Sequence, residues 1–141
     1  MERAYIDISA DLDGDAVVHA CFDLTEAELS ASAHAIRAGT SERFRTASMS
    51  ADEVLELREL TVLADELGEL GSGTGTVVLR PARLSIYRDA VILFVESRDQ
   101  ADWVREEDLE PLALLRPLLL PLEQLCAEAL RTALSPTPRP C

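Results

Sequence analysis

Two runs of alternating apolar and polar residues, Ala4 to Ala10 and Val18 to Leu24, flank the stretch Asp11-Leu12-Asp13-Gly14-Asp15. Period-two alternation marks a strand with one covered face, and two such runs around a glycine-bearing turn specify an antiparallel hairpin. A single step of register moves every side chain to the opposite face, so the loop length decides what the hairpin presents. A two-residue Asp13-Gly14 loop sets Ile6 opposite Cys21 and Ile8 opposite His19, and the apolar faces miss one another. A three-residue loop, Leu12 to Gly14 with Gly14 left-handed, sets Ile8 opposite Val18 and Ile6 opposite Ala20. The second register is therefore expected. It also places Tyr5 opposite Cys21 and Asp7 opposite His19, which gathers Tyr5, Asp7, His19 and Cys21 on the other face of the sheet. An Asp beside a His orients an imidazole, and an imidazole near a thiol activates it, so this face is the alternative ligand or enzymatic surface. Its bland reading is a half-solvated sheet face with a cross-strand ion pair.

The three aspartates of the turn also begin like a calcium loop. An EF-hand starting at Asp11 needs glycine at its sixth place and a bidentate Glu at its twelfth, where this chain has Ala16 and Phe22. No metal and no cofactor are expected. Gly71 to Gly75, Gly-Ser-Gly-Thr-Gly, fails as a phosphate loop in the same way. It follows a helical pattern and precedes a strand-like one, whereas a phosphate loop opens a helix.

Further along, Thr25-Glu26-Ala27-Glu28 and Ser50-Ala51-Asp52-Glu53 match capping boxes and open two helices. The first is expected to end near Arg37, before Gly39-Thr40-Ser41. The second carries Val54, Leu57, Leu60, Leu63, Leu67 and Leu70 at steps of three and four, a stripe that covers a sheet or, less simply, a coiled-coil partner. The run from Thr76 to Ser97 alternates again at Leu84 and Ile86 and at Val91, Leu93 and Val95. With Arg88-Asp89 as its turn, it reads as a second hairpin. Thr76 to Arg80 before Pro81 is an edge strand or a bulged entry.

Leu112, Leu114, Leu115, Leu118, Leu119, Leu120, Leu122 and Leu125 cover more than one side of the last helix, with breaks expected at Pro117 and Pro121. One sheet face cannot cover them all, so Leu112, Leu115, Leu118, Leu119 and Leu122 are expected to meet a second copy of the chain. Trp103 lies in the acidic run Asp99 to Glu110. Such a run is ordinarily a solvated face, but with Glu106 and Glu107 it also has the composition of an anchor for a basic partner.

Charge narrows the function classes. The 26 acidic and 13 basic residues give a net charge of −13, which repels nucleic acid and anionic membrane surfaces. Neither partner is expected. The amino terminus has no apolar core after its charges, and the leucine-rich stretch is too short to span a bilayer, so a cytoplasmic location is expected. The three cysteines, Cys21, Cys126 and Cys141, imply no disulfide framework.

The resulting expectation is an α+β protein of two layers: an antiparallel sheet of two hairpins, helices on one face, order ββααββα. It forms one domain over 1–134, and 135–141 is a disordered tail. Its function is that of a non-catalytic, acidic interaction module of adaptor, chaperone-like or immunity type, homodimeric and binding a partner protein.

Overall fold

The computed structural model of the chain describes residues 1–46, 48–71 and 75–134. The expected tail, Cys141 and the centre of the glycine connection lie outside the described residues. Strand β1 (Glu2–Ala10) and strand β2 (Ala16–Asp23) are followed by helices α1 (Glu26–Thr46) and α2 (Ala51–Leu70). Strand β3 (Thr76–Leu79) leads into α3 (Pro81–Asp99), α4 (Glu106–Leu115), a 3-10 turn (Arg116–Leu118) and α5 (Leu119–Leu134). The fold is mixed α+β with one antiparallel sheet of order β1-β2-β3.

The first hairpin takes the three-residue loop and its register: Tyr5 pairs with Cys21, Ile6 with Ala20, Asp7 with His19 and Ile8 with Val18. Gly14 has φ +82°, where a side chain would be strained. The Asp11 N–H donates to the Asp15 carbonyl at 2.9 Å, and the Asp11 carboxylate accepts from the Asp13 and Asp15 amides at 2.9 Å each. The turn aspartate thus caps its own loop.

β3 closes the other edge of β2, pairing Ala20 with Leu79 and Phe22 with Val77. Just before it, the Leu24 amide donates to the Gly75 carbonyl at 3.0 Å. Gly75 has φ +75°, and a Cβ there would lie 2.8 Å from the Leu24 carbonyl oxygen, so only glycine fits.

The expected second hairpin and the order ββααββα are incorrect. Leu84, Ile86, Val91, Leu93 and Val95 belong to the single helix α3. The residues it buries are Leu84, Tyr87, Val91, Phe94 and Val95, a helical spacing, while Leu93 is exposed. Arg88-Asp89 is mid-helix. Pro81 occupies its first turn, where a missing N–H costs nothing, so the residue read as a strand breaker is a helix starter.

α1 also runs past the expected stop at Arg37. Gly39 costs a helix interior about 1 kcal/mol, but α1 packs along α2, α3 and α4, and the Thr40 hydroxyl donates to the Arg37 carbonyl at 3.0 Å. Tertiary packing outweighs the local propensity. The first capping box forms in full, the Thr25 hydroxyl accepting from the Glu28 amide at 3.1 Å and the Glu28 carboxylate from the Thr25 amide at 2.9 Å; at the second, the Ser50 hydroxyl accepts from the Glu53 amide at 3.2 Å, while the Glu53 carboxylate accepts from that hydroxyl rather than from the Ser50 amide.

The helices cover the sheet face that carries Ala20, Phe22, Val77 and Leu79. Leu57, Leu60, Leu63 and Leu67 of the expected α2 stripe are buried in the same core, where α2 packs chiefly along α1 rather than on the sheet, whereas Val54 is exposed. Tyr87 stacks on Phe22 at 6.0 Å between ring centroids, and its hydroxyl bonds Ser32 at 2.7 Å. Burial pushes the Tyr87 phenol up to about 12, against the opposing pull of that hydrogen bond. β1 is less well covered. Ile6 is half-buried, Ile8 is 54% exposed, and Ala4 and Ala10 are exposed, so the expected apolar face of this strand runs past the helical layer.

Candidate functional site

An open cleft of about 780 Å³ lies between α1, the end of α3 and the connection from α3 to α4. α1 presents Ser30, His34, Arg37, Ser41 and Arg45 to it, a spacing that keeps them on one side of a helix. The opposite side of α1 buries Leu29, Ala33 and Ile36 in the core. Trp103 stands on the rim, 72% exposed, with Asp102, Arg105 and Glu107 beside it.

At the floor, Asp108 is 4% exposed and fully engaged. His34 Nε2 lies 2.6 Å from its Oδ1, and Arg98 Nε donates to its Oδ2 at 3.2 Å. Arg98 also donates to Glu42 at 2.8 Å and to Ser97 at 2.8 Å, and its guanidinium sits 4.5 Å from the centroid of Phe94. His34 meets the same ring edge-on at 5.9 Å. Burial alone raises the Asp108 carboxyl, but the His34 hydrogen bond and the Arg98 guanidinium overcome it and hold the group below the usual carboxylate range. One buried carboxylate therefore ties α1, α3 and α4 together.

Chemically this arrangement resembles two parts of a catalytic triad, an acid orienting an imidazole. A nucleophile is needed within hydrogen-bond reach of that imidazole. Ser30 and Ser41 line the same cleft, but among the described residues neither bonds His34. No buried side-chain polar atom among the described residues lacks a partner. The floor is a closed ion network, and the groups left open to a ligand are those of the rim.

Trp103 and Glu107, expected from the sequence to face a partner, do line the cleft, and Glu106 is exposed next to them. Glu107 lies 3.6 Å from Arg105. The acidic run is not uniformly solvated, because Asp108 within it is buried. His34, Arg98 and Asp108 were not legible as a unit: His34 and Asp108 are 74 residues apart, and only tertiary packing joins them.

Of the leucines expected at an interface, Leu112, Leu115, Leu118 and Leu122 are buried in this chain's own core and Leu119 is half-buried. The helical stretch breaks at the 3-10 turn containing Pro117, and α5 carries Pro121 in its first turn, so its leucines face several directions within one chain. The outward-facing leucines of this region are Leu109, Leu120, Leu130 and Leu134.

On the outer sheet face, Tyr5 and Asp7 are exposed, His19 is half-buried and Cys21 is 6% exposed between its neighbours on β1 and β3. The Tyr5 phenol is raised, first by its hydrogen bond with Cys21. Asp7 and His19 are partners in register, yet no ion pair joins them among the described residues. The two described clefts are lined by other residues. At the turn, carboxylate oxygens of Asp11, Asp13 and Asp15 lie within 4.8 Å of one another, all exposed, and one of them already serves the two loop amides.

No described helix is long and apolar enough to cross a membrane. Comparison of the chain with protein-family models, with curated proteins and with solved structures finds no match in any of the three.

Proposed function

We propose that the protein is a cytoplasmic, non-catalytic interaction module, homodimeric, that binds a segment of a basic partner protein in the cleft beside Trp103. The observation that carries the reading is Trp103 itself. An indole 72% exposed on the rim of a large open cleft is an unburied apolar surface of the residue type most enriched at interface hot spots. The floor beneath it is internally satisfied, which suits a preorganised docking surface rather than a reacting centre. The net charge of −13 attracts a basic partner and speeds its encounter; beside the indole Asp102 and Glu107 line the cleft, with Glu106 exposed in the same run, against Arg37, Arg45 and Arg105 on the same walls.

Trp103 is the single tryptophan, so its fluorescence reports the cleft directly. Binding of the captured partner is expected to shift its emission to the blue. Trp103→Ala is expected to weaken capture by about 30-fold or more, the size of an interface hot spot of ~2 kcal/mol. Glu106→Lys with Glu107→Lys is expected to slow association at low salt. Unchanged capture by both variants, with the fold intact by circular dichroism, removes the reading.

A further inference from the structure

We propose that two copies of this chain pair along their β1 edges, giving one six-stranded antiparallel sheet with the two α5 helices side by side beneath it. The proposal deepens the homodimer part of the reading above and is independent of the cleft. β1 is an outer strand of the sheet, with β2 on one side and no neighbour on the other among the described residues. The Asp11–Asp15 bond fixes which backbone groups point where. Residues of an antiparallel ladder alternate between bonded and non-bonded pairs, so Asp11, Ser9, Asp7 and Tyr5 bond inward to β2. The N–H and C=O groups of Ala4, Ile6, Ile8 and Ala10 then point outward and form a free edge, a template for another strand.

A two-fold axis restricts how that edge meets itself. Outward-pointing residues must face outward-pointing residues, so the centre lies at Tyr5, at Ile6 or at Asp7. Centring at Asp7 sets the two Asp7 carboxylates opposite each other, and centring at Tyr5 sets Glu2 opposite Ile8. Centring at Ile6 pairs Ile6 with Ile6 and Ala4 with Ile8 on the apolar face, and Tyr5 with Asp7 on the outer face. This last register has no like charges opposed and covers the apolar residues that the chain's own helices leave open. The bulge at Arg3, with φ +49°, ends the regular stretch at its amino-terminal side.

The helical layer fits the same axis. α5 packs on both β1 and β2, so its mate packs on the equivalent pair of the second copy. The two helix axes are then about two strand spacings apart, roughly 9.6 Å, within the ~8–10 Å at which helices pack directly.

Light scattering on the full chain at micromolar concentration tests this, and the mass is read with no partner present. Failure here leaves the cleft reading standing, and failure of capture leaves the dimer standing. The expected mass is twice the 15.4 kDa of one chain. Ile8→Pro removes only an outward-pointing N–H, a change an edge strand tolerates, and is expected to give a monomer with unaltered circular dichroism. Should that variant fail to fold, Ala4→Glu with Ile8→Glu decides the matter: both residues are exposed in one chain and the register sets the new carboxylates opposite each other across the axis, with about a tenfold or greater rise in the dimer dissociation constant expected. A monomeric wild-type chain, or a dimer that survives these substitutions, overturns the proposal.

Discussion

Replacing Asp108 by Asn tests the floor of the cleft most directly. The substitution keeps the size of the side chain and one acceptor oxygen but removes the charge that His34 and Arg98 share. Removing one partner of a fully buried ion pair costs about 3–5 kcal/mol. The side chains of His34 and Arg98 are 35% and 14% exposed, and Arg98 keeps Glu42 as a second counter-charge, so solvent and the remaining pair soften the loss. An expected cost of ~2 kcal/mol follows, or a melting temperature lower by about 4–8 °C for a chain of this size. The sign of the pH dependence follows from the depressed Asp108 carboxyl. Its stabilisation is complete above the unfolded value of about 3.9 and disappears as the pH falls through the lower folded value. Thermal melts by circular dichroism should therefore show a gap between wild type and Asp108→Asn at neutral pH that closes only in strong acid. A variant melting within about 1 °C of wild type at neutral pH would refute the view that this carboxylate ties the three helices together.

Two further substitutions separate local strain from packing. Gly75→Ala forces a Cβ against the Leu24 carbonyl at a positive φ and should cost about 1–3 kcal/mol, read as a lower urea midpoint with an unchanged slope; a stabilised variant would contradict the geometry. Leu115→Ala removes a side chain with no exposed surface and should cost about 2–5 kcal/mol without changing the native mass. Full stability with an altered mass would return Leu115 to a surface between copies.

How far each part was legible in the sequence depends on the range over which it is specified. The first hairpin is local: its register follows from Gly14 and from the alternation of Ile6, Ile8, Val18 and Ala20, and all of that lies within one short stretch. The α3 segment is equally local but ambiguous. Its apolar residues match period two at Leu84 and Ile86 and period 3.6 at Leu84, Tyr87 and Val91, and Pro81 is consistent with either an edge strand or a helix start. The length of the run, longer than an ordinary strand, favours the helix. The cleft is a different case. Trp103 and Glu107 are conspicuous by composition, but the wall opposite them depends on α1 continuing past Gly39 to bring Ser41 and Arg45 into line with His34. Ending the helix at Arg37 erased that wall. The burial of Asp108 depends on Arg98 and His34 arriving from two other helices, which no local spacing encodes.

The placement of β3 also bears on how the chain folds. β2 finds β1 across a three-residue loop, on the microsecond scale of hairpin formation. Its opposite edge waits for Thr76, whose hydroxyl bonds Asp23 at a sequence separation of 53, with α1 and α2 between them. Closing so long a connection is the slow event of a mixed topology, and during synthesis β2 leaves the ribosome well before the strand that shields it. Until Val77 and Leu79 arrive, the nascent chain exposes Ala20 and Phe22 beside an open row of backbone amides. The long helical pair inserted in the middle of the sheet thus sets the interval during which the chain is most prone to aggregate.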